Sequence, residues 1–354
     1  MNTEFTENLN KVNSIEGFYA GTGIFITGAS GFVGKGLLEK LIRVCPRIVV
    51  IFILVRPKKH QTMEQRYKEI IDDPIFDDAK AKNPSALKKV HPVEGDISLP
   101  KLGLSQEDRN MLIENVNILF HVAATLNFKE PLNAAVNTNV KGTFSIIELC
   151  NELKHVISVI HVSTAYSNAN LPDIEEKVYR YGELKDTFVK YAIEIPMDGL
   201  LWYPWCAMVS NRYVYSILTL FLHTLPAFIV DIFLRLRGSK PRMMKISKYY
   251  DTMSTVTNYF SIRQWSFKRD NVIDMMKEVK TLEDSDIVEL DLQDMDWDKY
   301  IAICVIGIKK FIFKEDPKSL DAARRRLSIF YWLHQMTKAF AIIILLTIIL
   351  RVMY

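Results

Sequence analysis

Gly23-Ile24-Phe25-Ile26-Thr27-Gly28-Ala29-Ser30-Gly31-Phe32-Val33-Gly34 is a short apolar run that passes into a glycine-spaced turn and then into helical sequence. Gly28 and Gly31 let the backbone turn tightly and approach a pyrophosphate. Gly34 lets the following helix pack on the strand, and that helix's N-terminus faces the anion. The stretch predicts a dinucleotide cradle lined by Thr27, Gly28, Ser30, Gly31, Phe32, Val33 and Gly34. Alone, the spacing suits equally a strand-to-helix turn whose glycines serve packing. The context favours the cradle, because a β-branched run from Ile48 to Val55, about twenty residues on, supplies the parallel partner that a βαβ unit requires.

That second run ends in Val55-Arg56-Pro57-Lys58-Lys59, where a cofactor with a free ribose 2′-hydroxyl calls for Asp or Glu. Here the charge is positive. A guanidinium suits a 2′-phosphate through a forked, charge-assisted contact, so the expected cofactor is NADPH with Arg56 as its grip at the adenosine end. Lys58 and Lys59 read as a solvated basic loop.

Five strand-like runs are separated by helical patterns: Gly23 to Thr27, Ile48 to Val55, Val90 to Glu94, Val116 to His121 and Val156 to Val162. This alternation predicts an α/β fold with a doubly wound, Rossmann-type parallel sheet. Ligands of such sheets sit at the carboxyl ends of the strands. Asp96, with Ile97 beside it, follows the third strand as an acceptor for an adenine amino group. Ala123 and Ala124 follow the fourth and leave room for the cofactor to cross, and Ser163-Thr164 follows the fifth. Each also has a plain reading as a turn or packing residue. No sixth strand is visible, since Leu171 to Pro196 reads as charged and irregular. The expected divisions are a truncated dinucleotide-binding domain over 17–195, a helical domain over 196–327 and a membrane-anchoring helix over 328–352.

The anchor rests on Ala339 to Leu350, apolar except for Thr347, preceded by Ile329-Phe330-Tyr331-Trp332-Leu333 and by Arg324, Arg325 and Arg326. It reaches bilayer length if His334, Gln335 and Lys338 are tolerated near an interface. A buried core helix is the alternative. A second apolar segment, Tyr213 to Leu236, carries His223, Pro226 and Asp231. It reads as the wall of an acyl pocket, a membrane-apposed hairpin or plain core, and the sequence does not separate these. The net charge of +4 is spread out, with no basic stripe interleaved with aromatics, so nucleic acid is not indicated. Cys45, Cys150, Cys206 and Cys304 show neither metal-ligand spacing nor a paired pattern, and read as reduced, mostly buried thiols. The polar N-terminus lacks the basic-then-apolar order of a secretory signal.

Reducing a carbonyl with a nicotinamide needs a proton donor for the developing alkoxide and a hydroxyl that holds the carbonyl in line. Thr164, or Ser163 beside it, suits the holder's place, although either hydroxyl would also cap a turn or helix. The donor is harder to find. One Tyr-x-x-x-Lys occurs here, Tyr181 to Lys185, and on a helix both side chains would share a face. Gly182 is a poor helix residue and the segment is charged rather than amphipathic, so the spacing reads as coincidence ahead of catalysis.

These residues resemble the alcohol-forming fatty acyl-CoA reductases, extended short-chain dehydrogenase relatives with an appended helical male-sterility domain. The likeness is carried by Phe18-Tyr19-Ala20-Gly21, Ile26 to Lys35, Leu54-Val55-Arg56-Pro57-Lys58, Val93-Glu94-Gly95-Asp96, Asn139-Val140-Lys141-Gly142-Thr143 and His161 to Tyr166. It resumes with Leu201-Trp202-Tyr203-Pro204, Leu225-Pro226-Ala227, Lys240-Pro241-Arg242 and the aromatic-rich C-terminal helices. The resemblance implies a membrane-bound enzyme of the endoplasmic reticulum or peroxisome. Such an enzyme takes a long-chain acyl-CoA to a primary alcohol with two hydrides from NADPH, the thioester carbonyl being activated at Thr164 or Ser163. Family members also carry a substantial block between the counterparts of Tyr179 and Pro196, holding their Tyr-x-x-x-Lys helix and last strands. This sequence has no such block, and the catalytic roles are not carried onto Tyr181 and Lys185. The alternatives are an inactive truncated relative, from a splice form or incomplete gene model, that keeps dinucleotide or lipid binding, and a product that cannot fold stably. Oligomeric state and chain-length preference are not expressed in the sequence.

Overall fold

The computed structural model describes residues 13–164, 166, 181–207, 209, 211–261, 270–288, 295–316 and 319–353. Tyr179 lies outside them. The chain divides into two compact units, Met1–Pro172 with Arg269–Asp294, and Asp173–Lys268 with Met295–Tyr354.

The first unit is built on β1 (Gly23–Thr27), β2 (Val50–Val55), β3 (Val90–Glu94), β4 (Ile118–His121) and β5 (Ser158–His161). All pair in parallel, in the order β3-β2-β1-β4-β5. The five expected runs are these strands, though β2, β4 and β5 each start two residues later than the apolar pattern suggests. Strand alternation explains the double winding. Ile24 and Ile26 of β1 face a core that includes Leu38, Leu41 and Ile42 of α1 (Phe32–Val44) and Ile70 of α2 (Met63–Ile71). Phe25, between them, points the other way, into a core with Leu112 of α3 (Gln106–Asn115) and Ile146 and Leu149 of α4 (Gly142–Glu152). Each sheet face thus has its own helices.

Helix starts follow local chemistry. A reciprocal capping box between Thr62 and Gln65 opens α2, and the Ser105 hydroxyl accepts from the Asp108 N–H at the head of α3. By contrast, α1 opens on Gly31, whose extended backbone supplies no side-chain cap.

The second unit is helical. In α5 (Tyr181–Glu194), Lys190 and Tyr191 reach Asp298 of α10 (Trp297–Gly307), the Lys190 ammonium at 3.1 Å and the Tyr191 hydroxyl by donating a hydrogen bond. The segment read from sequence as irregular is therefore a helix over this span, because packing against α10 supplies what propensity lacks. A continuous helical run follows: α6 (Arg212–Thr219), a π-helical turn (Leu220–Thr224) and α7 (Leu225–Leu236). The wide turn precedes Pro226, which has no N–H to offer the preceding turn. Next come α8 (Met243–Ser261), then α9 (Asp270–Val279), which belongs to the first unit, and finally α11 (Leu320–Met353). His334 of α11 is buried among Trp202, Tyr203 and Trp205, its Nδ1 accepting from the Trp202 indole N–H at 3.1 Å. Beyond it Phe340, Ile343, Leu346 and Leu350 are exposed. Among the cysteines only Cys45 is buried. Cys206 is exposed, which corrects the expectation of mostly buried thiols.

Candidate functional site

Register builds the site. Thr27, the last residue of β1, pairs with Leu54 of β2 and with His121 of β4, and His121 pairs with His161 of β5. The carboxyl ends of the strands therefore form one rim. After Thr27 the chain turns at Gly28, whose φ of +77° is left-handed and whose missing Cβ would stand 2.7 Å from the Ala123 nitrogen. A Cβ on Gly34 would stand 2.1 Å from the Gly28 carbonyl oxygen, so only glycine lets α1 settle this closely on the turn.

Ser30, Gly31, Phe32 and Val33 are exposed at the rim. The first N–H groups of a thirteen-residue helix are thus presented without a side-chain cap, and the helix dipole adds partial positive charge there. This arrangement fits a pyrophosphate: the backbone can approach closely and donors are free. Arg56 follows β2 and is 74% exposed along its side chain, with Nε 4.0 Å from Oδ2 of Asp96, which follows β3. The same Asp96 accepts from the Ser98 N–H and hydroxyl at 2.9 and 2.8 Å, which fixes its carboxylate. Ile97 is buried beneath it. A cation and a carboxylate thus flank the β2–β3 end of the rim, while the cradle and Ala123 lie at the β1–β4 junction. Ala124, next along, is exposed.

Beneath this junction lies a polar chain that sequence reading passed over. The Thr27 hydroxyl accepts from the Val122 and Ala123 N–H groups at 3.2 and 3.3 Å and donates to His121 Nδ1 at 2.7 Å. His121 Nε2 then donates to the Thr143 hydroxyl at 3.1 Å, and Thr143 donates to the Asn139 carbonyl at 2.8 Å. Every proton in the chain has one place to go, which selects the Nε2–H tautomer. His121 is 1% exposed, and burial, with the stacked His161 ring 5.1 Å away, pushes its pKa down to about 4. It is a neutral strut between β1 and β4. With both nitrogens engaged it is not placed to protonate a substrate. A histidine ending a buried strand beside a threonine was the available sequence signal, and only register shows that the two meet.

Ser163 and Thr164 lie just past β5 and are exposed, the Thr164 hydroxyl accepting from the Tyr166 N–H at 3.2 Å. Lys185 is in α5, paired with Asp186 at 2.7 Å, and that hydrogen bond holds its pKa above the usual lysine value. The Tyr181 side chain is outside the described residues. Among the described residues no group of histidines, cysteines and carboxylates is arranged to hold a metal ion.

A family model described as "Male sterility protein" matches residues 26–248, and a second model of the same description matches residues 222–315. Fatty acyl-CoA reductase 1 of Mus musculus is 26% identical over 460 aligned residues, covering 89% of each chain. A fatty acyl-CoA reductase of Drosophila melanogaster is 26% identical over 469, covering 91% of this chain and 90% of its own. Both alignments are longer than the 354 residues of the chain, so more than a hundred positions of each relative have no counterpart in it. Among solved structures, the terminal R domain from the myxalamid PKS-NRPS biosynthetic pathway is similar at 32% identity with a TM-score of 0.35, over 45% of this chain and 37% of that one.

Proposed function

The chain belongs to the male sterility protein family, and on that premise we propose that it is an NADPH-dependent reductase taking a long-chain fatty acyl-CoA to a primary alcohol at a membrane. The observation that carries the reading is the exposed, glycine-built rim at the N-terminus of α1, with Arg56 and Asp96 flanking its adenosine end. NADPH when bound supplies the hydrides. The backbone of Gly28 to Val33 holds the pyrophosphate, and the Arg56 guanidinium takes the 2′-phosphate in place of its loose contact with Asp96. Asp96 and Ile97 line the adenine, and Ala123 and Ala124 leave the crossing clear. Thr164, with Ser163, donates a hydrogen bond to the thioester oxygen as negative charge develops there.

The first reduction breaks the carbon–sulfur bond and releases the CoA thiol. The second converts the aldehyde to the alcohol, and each needs one proton. In this reading α11 serves as the anchor over 328–352, at the endoplasmic reticulum or peroxisome. In the same reading a dinucleotide-binding part spans 17–195 and a helical part 196–327, although the compact units divide the chain differently, with α5 in the helical unit and α9 in the sheet unit.

A specific observation favours a second reading, a dinucleotide-binding relative that does not turn over. The relatives are longer by more than a hundred positions, and β5 ends the sheet among the described residues; in this reading the positions without a counterpart include the family's Tyr-x-x-x-Lys block. Membranes carrying the full chain, given NADPH and palmitoyl-CoA, separate the two. The reductase reading expects fatty alcohol and NADPH consumption, abolished in Thr164→Val with Ser163→Ala. Tight NADPH binding without consumption supports the second reading. Arg56→Glu should weaken NADPH by about 10- to 100-fold and leave NADH nearly unchanged. Equal losses for both nucleotides would remove Arg56 from the cofactor site.

A further inference from the structure

The run from Tyr213 to Leu236 is 24 residues long and its most apolar stretch of eighteen has a mean hydropathy of 2.1, enough in length and composition to cross a bilayer. Its packing inverts the usual order. Its polar side chains are among those turned toward α8: Tyr215 donates to Ser254 at 3.2 Å, the His223 ring stacks on Tyr250 at 5.6 Å, and Asp231 contacts the far end of the same helix. Asp231 is 4% exposed and accepts from the N–H groups of Arg242, Met243 and Met244 at 2.8 to 2.9 Å, which caps α8. The outward face is apolar: Phe221, Leu225, Phe228, Ile229, Phe233 and Leu236 are all exposed. These contacts, from Asp231 back to Tyr215, show α8 running antiparallel along the whole helix. Yet α8 carries exposed Lys245, Lys248 and Asp251, which hydrocarbon would not accept.

At the turn between the two helices, Arg235, Arg237, Lys240, Arg242, Lys245 and Lys248 are exposed within fourteen residues that contain no acid, and none forms an ion pair with a described residue. We propose that α6–α7 lies in the plane of a membrane surface, its apolar face among the acyl chains, its basic turn against anionic headgroups and α8 on the water side. It does not cross the bilayer. A helix with an apolar outer face, polar ties to a charged helix behind it and cations at headgroup level is what an interfacial element requires. The proposal is independent of the reductase reading and of the anchor assigned to α11.

Two measurements on the full chain test it. In sealed microsomes, native Cys206, exposed ahead of α6, and Ser239→Cys on a Cys206→Ser background should be modified from the same side by a membrane-impermeant maleimide, at rates within about three-fold. Modification from opposite sides would mean that the helix crosses, and would overturn the proposal. In flotation, the chain should bind vesicles containing phosphatidylserine at least about 10-fold better than phosphatidylcholine alone, an excess that high salt removes. Replacing Arg235, Arg237, Lys240 and Arg242 with Gln should abolish that excess while binding through α11 persists. An unchanged ratio would overturn the lipid assignment. So would a lipid-free dimer that Phe221→Glu with Phe233→Glu dissociates without any change in vesicle binding, since a second copy would then cover the face.

Discussion

Across the sheet, β1 is buried at every residue, whereas β5 alternates half-buried and exposed residues and leaves Val159 46% accessible. The helices repeat the contrast. Leu38, Leu41 and Ile42 of α1 are buried against the β1–β3 half, while Phe144 of α4 is 60% exposed, in one stripe with Val140 and Ile147. The half that offers a dinucleotide rim is a finished structure. The half that ends in β5 has an unpaired strand and an uncovered apolar stripe, among the described residues. A chain can thus keep the glycine-built rim well packed while the neighbouring sheet edge is open among the described residues, because the two are stabilised by different contacts.

The largest effect should come from the finished half. Gly34→Val drives a side chain into the Gly28 carbonyl, and should cost about 4 kcal/mol, roughly 10 °C in the thermal midpoint, and abolish dinucleotide binding. An unchanged midpoint with retained binding, by scanning fluorimetry and nucleotide titration, would show that the close seat of α1 is not what supports the rim.

The joint between the halves should show next. His121 is neutral in the fold down to about pH 4, against about 6.5 in the unfolded chain. Between those values the unfolded chain binds a proton that the fold excludes. Stability is therefore complete above about pH 6.5 and falls as the pH drops toward 4, by up to about 3 kcal/mol. Midpoints measured over that range should slope less for His121→Asn than for the wild type, and parallel profiles would remove His121 from the joint.

The smallest effect belongs to the open edge. Val159→Lys should change stability by no more than about 0.5 kcal/mol and reduce self-association seen by light scattering. Destabilisation by several kcal/mol would mean that the edge is covered after all.

Reading the chain from one end found the strands because each is a β-branched run between helical patterns, and found the glycine turn because its spacing is local. It set three strand starts two residues early, since apolar residues continue into the loops under helices. It missed the helix from Tyr181 to Glu194, whose support comes from Asp298, more than a hundred residues away. It gave Asp231 no role within its apolar segment, where the carboxylate points inward to cap the next helix. His121 went unnoticed because its partners Thr27 and Thr143 lie on other elements.

Sequence by itself determined the parallel α/β order, the position of the glycine turn and the charge near it, all properties of periodicity and short-range spacing. Tertiary structure alone decided which way each polar group in an apolar stretch faces, that a buried histidine locks two strands together, and that a helix long enough to cross a bilayer is tied along its length to a charged one. Those outcomes depend on partners brought from distant segments. A group's burial and hydrogen bonds are set by what packs against it, and its own neighbours in the chain do not carry that information.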